Sequence, residues 1–197
     1  MSSSPDLYLL TGPNGAGKTT FHEQVLAATG LDFINADRIA ALRWPGDEMA
    51  RAYDAAAEAA AVRERYLDDR RSFITESVFS HPSKVELVIR AVEAGYRVHL
   101  RVLIVPVNLS VARVAQRVID GGHDVPAAKI RQRHERLWTH VVDAIDRAYE
   151  TRVYDSSGQN GQDFVEVARY QYGTVLGETR WPAWAPLELT GEQSTQL

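Results

Sequence analysis

The chain has 197 residues, with 22 Lys and Arg against 26 Asp and Glu, a formal net charge of −4 and no cysteine. That length suits one sizeable α/β domain, the charge supplies no basic field for DNA or RNA, and without cysteine there is neither a disulfide framework nor thiolate chemistry. Hydrophobic residues make up 45% of the chain, enough for a core, but no apolar run approaches the roughly 18 residues of a membrane span. The opening Met1-Ser2-Ser3-Ser4-Pro5 lacks the basic-then-apolar order of a signal peptide. A cytoplasmic protein with no nucleic-acid or membrane partner is the expectation.

Apolar runs alternate with helical patterns along the chain, the signature of a parallel sheet covered on both faces. Residues 7–10 read as a buried first strand. A Gly-rich loop follows, then a helix over 20–28 with Phe21, Val25 and Leu26 at helical spacing. Residues 33–35 form a short second strand, and the Ala-rich stretch 47–68 a helix. The third strand spans 72–75. The next helix has Pro82 near its start and Gly95 just past its end, as capping rules expect. Residues 98–105 are almost continuously apolar and so form a central fourth strand. A helix over 109–119 runs into the break Asp120-Gly121-Gly122-His123-Asp124-Val125-Pro126. A long helix starts near Pro126, its stripe made of Ile130, Leu137, Val141, Ile145 and Ala148. Val153-Tyr154 is the fifth strand, residues 164–170 can add a short further one, and 190–197 are a polar tail. No repeat or linker divides the chain. The expected fold is a single three-layer, P-loop kinase-like α/β domain with a five-stranded, mainly parallel sheet and a helical, Arg-bearing lid at about 113–136.

Gly12-Pro13-Asn14-Gly15-Ala16-Gly17-Lys18-Thr19 fits the phosphate-cradling pattern G-x-x-x-x-G-K-[ST] between a strand and a helix. Such a loop wraps backbone N–H groups around an anion while the new helix aims its positive end at the same place. Gly12, Gly15 and Gly17 permit close approach or positive φ. Lys18 is placed to reach the β/γ-phosphates of ATP and Thr19 to hold Mg²⁺, with Pro13, Asn14, Ala16 and Thr20 completing the nucleotide contact.

Ligands of such sheets bind beyond the carboxyl ends of the strands. After the second strand, Asp37 can hold an acceptor hydroxyl in line with the γ-phosphate and take its proton; it can equally be a helix N-cap. After the third, Glu76 can act through a metal-bound water or grip a substrate hydroxyl, or be a capping or surface residue. Ser80 and His81 share that loop and are weaker substrate candidates. Arg113 and Arg117 lie four apart on one helix face, and Arg131, Arg133 and Arg136 follow the Gly-Gly break. Planar guanidinium forks on both sides suit a lid that closes over phosphate and expels water, although acidic neighbours such as Glu135, Asp120 and Asp124 can pair with them. His123-Asp124 stands at no convincing metal-ligand spacing. His134 and His140 read as helix-surface residues. Trp138, Trp181 and Trp184 read as packing groups, with Trp181-Pro182-Ala183-Trp184 clamping the chain end.

No Asn-Lys-x-Asp, no Leu-Ser-Gly-Gly-Gln and no apolar strand ending in Asp-Glu occur. Switch GTPases, ABC transporter ATPases and water-activating motor ATPases are disfavoured, and a small phosphotransferase remains. The phosphate loop with Thr20, then Asn35-Ala36-Asp37-Arg38-Ile39-Ala40, Phe73-Ile74-Thr75-Glu76-Ser77, Arg117-Val118, Gly121-Gly122-His123-Asp124-Val125-Pro126 and Arg131-Gln132-Arg133 resemble the zeta-toxin family over about residues 6–175. The resemblance implies a P-loop kinase using ATP and Mg²⁺ that phosphorylates the amino sugar of UDP-N-acetylglucosamine and is restrained by a small antitoxin protein. It implies that Lys18 and Thr19 bind ATP and Mg²⁺, that Asp37 is the general base, and that Glu76 contacts substrate. Arg117 with Arg131 or Arg133 is then expected to stabilise the transferring phosphoryl group. Val78 departs from the Thr often found there, and Asp155-Ser156-Ser157 from the more usual Asp-Asn-Ser. A kinase for another acceptor, such as a nucleoside or an antibiotic, and a slow regulatory ATP-binding protein are the rival readings.

Overall fold

The computed structural model describes residues 4–120, 122, 125–158, 161 and 163–191. The apolar runs become the strands β1 (Asp6–Thr11), β2 (Asp32–Ile34), β3 (Phe73–Ser77), β4 (Arg97–Ile104) and β5 (Glu150–Asp155), followed by β6 (Val165–Gln171) and β7 (Thr174–Val175). They form one sheet in the order β2-β3-β1-β4-β5-β6-β7. The first five are mutually parallel, and β6 and β7 add antiparallel. The sheet therefore has seven strands where the sequence predicted five. One of the two additions, β6, is the further short strand offered at 164–170; the other, β7, is an exposed two-residue strand with no apolar run to mark it. β4, in the middle, is buried at every residue but its first, as covering both faces requires.

Period-two alternation divides the core between the faces. On one face Leu7, Leu9, Val98, Leu100, Val102 and Val153 pack under α3 (Ala52–Asp68), α4 (Ser83–Glu93) and α6 (Ala127–Ile145). Ile130, Leu137, Val141, Ile145 and Ala148 are buried, and Trp138 with them, while Trp181 and Trp184 pack onto the same core. On the other face Leu10, Ile74 and Leu103 meet Phe21 and Leu26. Phe21 ends α1 (Lys18–Phe21), which widens to a π-helical turn over His22–Leu26 and closes as a 3₁₀ turn, Ala27–Thr29. The expected regular helix over 20–28 is thus broken, and Val25 is exposed rather than buried. His22, buried and stacked on Phe33 with ring centroids 3.9 Å apart, occupies the widened turn.

Below this patch the same face is polar. Asp6 pairs with Arg97 and His99, and Glu150 with Arg101 and Arg152 at 2.7 and 2.8 Å. β3 runs two residues beyond its predicted end because Glu76 and Ser77 continue the ladder opposite Leu10 and Thr11. The remaining helices are α2 (Ala36–Arg43), α5 (Val107–Ile119) and α7 (Leu187–Thr190). His134 is not a surface residue: it is half-buried, with Nε2 at 3.1 Å from the Val105 carbonyl and Nδ1 accepting from Trp138 Nε1. His140 is likewise half-buried. Gly121, His123 and Asp124 of the break, and residues 192–197 of the polar tail, lie outside the described residues. Among the described residues no helix is long and apolar enough to cross a membrane.

Candidate active site

The loop leaving β1 is built on glycines that nothing else can replace without movement. Gly12 has φ 145°, and a Cβ there falls 2.5 Å from the Leu103 carbonyl oxygen. Gly15 has φ 71°, and its Cβ falls 2.8 Å from the Ser110 carbonyl oxygen on α5. Lys18, half-buried, donates from Nζ to the carbonyls of Gly12 and Pro13 at 3.1 and 3.0 Å.

In front of the loop lies a cleft of about 300 Å³ lined by Asn14, Gly15, Gly17, Lys18, Thr19, Thr20, Asp37, Glu76, Ser77, Val78 and Arg117. The structure thus gathers residues from the ends of β1, β2 and β3 and from α5. Asn35 is the N-cap of α2, its Oδ1 accepting from the Arg38 N–H at 2.9 Å. That removes the capping alternative for Asp37, which is the second residue of α2, exposed and facing the cleft.

Glu76 is half-buried, and its Oε2 is shut from solvent with no hydrogen-bond partner. Burial holds its carboxyl above the usual glutamate range; the Lys18 charge opposes this and the Asp37 charge adds to it. Burial likewise pulls the Lys18 ammonium below its ordinary value, against the attraction of Glu76 and Asp37 and together with repulsion from Arg117 and Arg133. Lys18, Glu76 and Asp37 therefore form one electrostatic set, with the guanidinium groups of Arg117, Arg133 and Arg38 in its field.

The arginines separate by position. Arg117 lines the cleft. Arg133 reaches the loop, with Nη1 3.5 Å from Asn14 Oδ1. Arg131 is exposed and donates to Asn108 Oδ1 on α5 at 3.0 Å, and Arg136 donates to its own helix at Gln132. Arg113 donates to the backbone carbonyls of Gly15, Ser156 and Ser157. Ser80 does not line the cleft, and His81 turns to Ser83. Ser77 and Val78 line it instead. Sequence reasoning named Ser77 only within the Phe73–Ser77 motif and Val78 only as a departure from Thr, and chose Ser80 as the substrate candidate because it ended β3 two residues early. It also passed over a second cavity, about 240 Å³, on the other flank of the loop, walled by Gly15, Gly17, Thr20, Arg113, Ser156 and Phe164 among others. No local pattern in the sequence marks it, because Phe164 meets the phosphate loop only in the assembled fold.

These residues fit a nucleoside triphosphate with a divalent cation. The phosphate loop and Lys18 line the cleft, and Glu76 offers a buried oxygen without a partner. No group of three or more His, Cys, Asp or Glu able to hold a metal by itself occurs among the described residues.

A phosphate loop after β1, in a sheet whose functional side chains gather at the strand ends, defines a protein of P-loop kinase-like fold. A family model for zeta toxin matches residues 1–161, and the chain belongs to the zeta toxin family. A chain of the AvrRxo1-ORF1:AvrRxo1-ORF2 complex with sulphate ions is similar in structure, with TM-score 0.70 and 17% identity over 90% of this chain. This chain spans 62% of that one's length. The same complex with ATP gives TM-score 0.64 at 18% identity, covering 90% and 61% of the two chains. A chain of the PezAT chromosomal toxin-antitoxin system of Streptococcus pneumoniae gives TM-score 0.58 at 17% identity, covering 85% and 72%. No curated protein matches this chain.

Proposed function

We propose that this protein is an ATP-dependent kinase that transfers the γ-phosphoryl group to a hydroxyl of a UDP-amino sugar, UDP-N-acetylglucosamine. The observation that carries the transferase reading is Asp37 in the same cleft as Lys18, released from capping by Asn35. Family membership supports the acceptor. In this reading Lys18, Thr20 and the loop from Gly12 to Gly17 hold the phosphates, while Thr19 and Glu76 hold Mg²⁺. Bound Mg-ATP supplies the phosphoryl group and a cation that offsets its charge.

Asp37 holds the acceptor hydroxyl and takes its proton as the hydroxyl oxygen bonds to the γ-phosphorus and ADP departs. Phosphoryl transfer is largely dissociative, so Asp37 acts more by positioning than by basicity. Arg117 and Arg133 neutralise charge that builds on the transferring group. Ser77 and Val78 face the acceptor side, and the second cavity beside Phe164 suits the base of ATP. A small antitoxin protein, by the family likeness, is the restraining partner, and the cytoplasm the compartment.

The test is a panel of acceptors with Mg-ATP, read by mass spectrometry: UDP-N-acetylglucosamine, nucleosides and antibiotics. A phosphorylated sugar nucleotide, lost in Lys18→Ala, is expected. Phosphorylation of another panel member alone would reassign the acceptor. ATP binding without any phosphorylated product would leave a regulatory ATP-binding protein.

A further inference from the structure

Each backbone carbonyl from Gly12 to Gly15 has a donor. Lys18 Nζ serves Gly12 and Pro13. Ser110 Oγ donates to the Asn14 carbonyl, and Arg113 Nη1 to the Gly15 carbonyl at 3.4 Å. The trans peptide is planar, so a carbonyl held on one side presents the N–H of the same unit on the other. Fixing the Asn14 carbonyl therefore fixes the direction of the Gly15 N–H, and fixing the Gly15 carbonyl fixes that of Ala16.

The four donations differ in permanence. Lys18 lies in the cleft, and in the kinase reading it serves the phosphates. Ser110 and Arg113 stand outside the cleft on α5; Arg113 also walls the second cavity, whereas Ser110 lines neither, so Ser110→Ala is the cleaner probe of loop positioning. Ser110 is fully buried. Arg113 is anchored a second time, to the Ser156 carbonyl at 2.8 Å and the Ser157 carbonyl at 3.2 Å beyond β5. α5 also lies hard against the loop, since the Ser110 carbonyl occupies the space a Gly15 Cβ would take.

We propose that Ser110 and Arg113 are positioning residues of the nucleotide site: they fix the peptide orientations of the phosphate loop, so that Lys18 can turn to phosphate without the loop reorienting. This rests on the nucleotide-binding reading above. A purely structural role, gluing α5 to the sheet, predicts a different pattern of losses.

The probes are ATP and inorganic tripolyphosphate, each titrated calorimetrically into the 197-residue chain, with thermal unfolding of the ligand-free protein alongside. Loss of a neutral hydrogen bond in Ser110→Ala should weaken both ligands about fivefold, and loss of a charged one in Arg113→Met about thirtyfold. Arg113→Lys, which keeps the charge but cannot span three carbonyls, should fall between. Equal losses for ATP and tripolyphosphate support loop positioning. A loss for ATP alone would make Arg113 a base contact and overturn the proposal. Unchanged affinities, with or without a lower melting temperature, would overturn it as well. Wild-type protein that binds neither probe would overturn the nucleotide reading itself, a separate result.

Discussion

Gly15 and Gly30 offer a matched pair of perturbations. Their φ values are nearly equal, 71° and 67°. A Cβ at Gly30 meets nothing within 4 Å, whereas one at Gly15 lies 2.8 Å from the Ser110 carbonyl oxygen and 3.3 Å from Arg113 Cβ. Alanine at either site pays the left-handed backbone penalty, partly offset by a stiffer unfolded chain, for about 1 kcal/mol. At Gly15 overpacking adds about 1–3 kcal/mol, because the neighbour is backbone and cannot swing away. In a chain of this length each kcal/mol moves the melting temperature about 2–4 °C. Gly30→Ala should therefore drop it by about 2–4 °C, and Gly15→Ala by roughly 4–16 °C. Scanning calorimetry gives both numbers, and titration with Mg-ATP gives the accompanying affinity. Gly15→Ala should also weaken ATP binding, while Gly30→Ala should not. Equal melting shifts and an unchanged ATP affinity in Gly15→Ala would refute the claim that close approach of α5 sets the loop.

Three further outcomes follow from the charges. Burial pushes Glu150 up, but hydrogen bonds and charge from Arg152 and Arg101 outweigh it and hold the group at about 2 against an ordinary 4.5. This depression contributes about 3 kcal/mol above pH 4.5, lost as pH falls towards 2; Glu150→Gln should lower stability at neutral pH and flatten the acid limb of denaturant unfolding. Glu76 is shifted the opposite way, so the folded state holds its proton more tightly and stability declines as pH rises through the shifted range. Glu76→Gln should then raise the melting temperature at neutral pH while abolishing turnover; a lower melting temperature would contradict the buried-charge account. Arg133 touches Asn14 whereas Arg131 is tied to Asn108. Arg133→Ala should accordingly cost about 100-fold in turnover, and Arg131→Ala markedly less, in steady-state assays.

The phosphate loop and the five parallel strands were legible because each depends on local pattern: glycines at fixed offsets, or a continuous apolar run. The rest depends on partners distant in sequence. Val25 has helical spacing, but the π-turn that exposes it goes with His22 stacking on Phe33 of β2. Ser77, rather than Ser80, faces the cleft because β3 continues its ladder with polar residues against Thr11. The capping reading of Asp37 is a local exception: Asn35, only two residues away, takes the capping bond, a rivalry that residue types alone leave open. Arg113 has the spacing of a lid residue with Arg117, yet its guanidinium is spent on carbonyls at Gly15, Ser156 and Ser157, a contact only the assembled β5 exit provides.

The most direct measurement concerns Asp37. Wild-type protein and Asp37→Ala are compared in a single-turnover assay with γ-labelled ATP and UDP-N-acetylglucosamine, with ATP affinity determined on the same samples. The account predicts label on the sugar nucleotide with wild type, none with Asp37→Ala, and similar ATP affinity for both. Full transfer by Asp37→Ala would contradict the role given to this carboxylate.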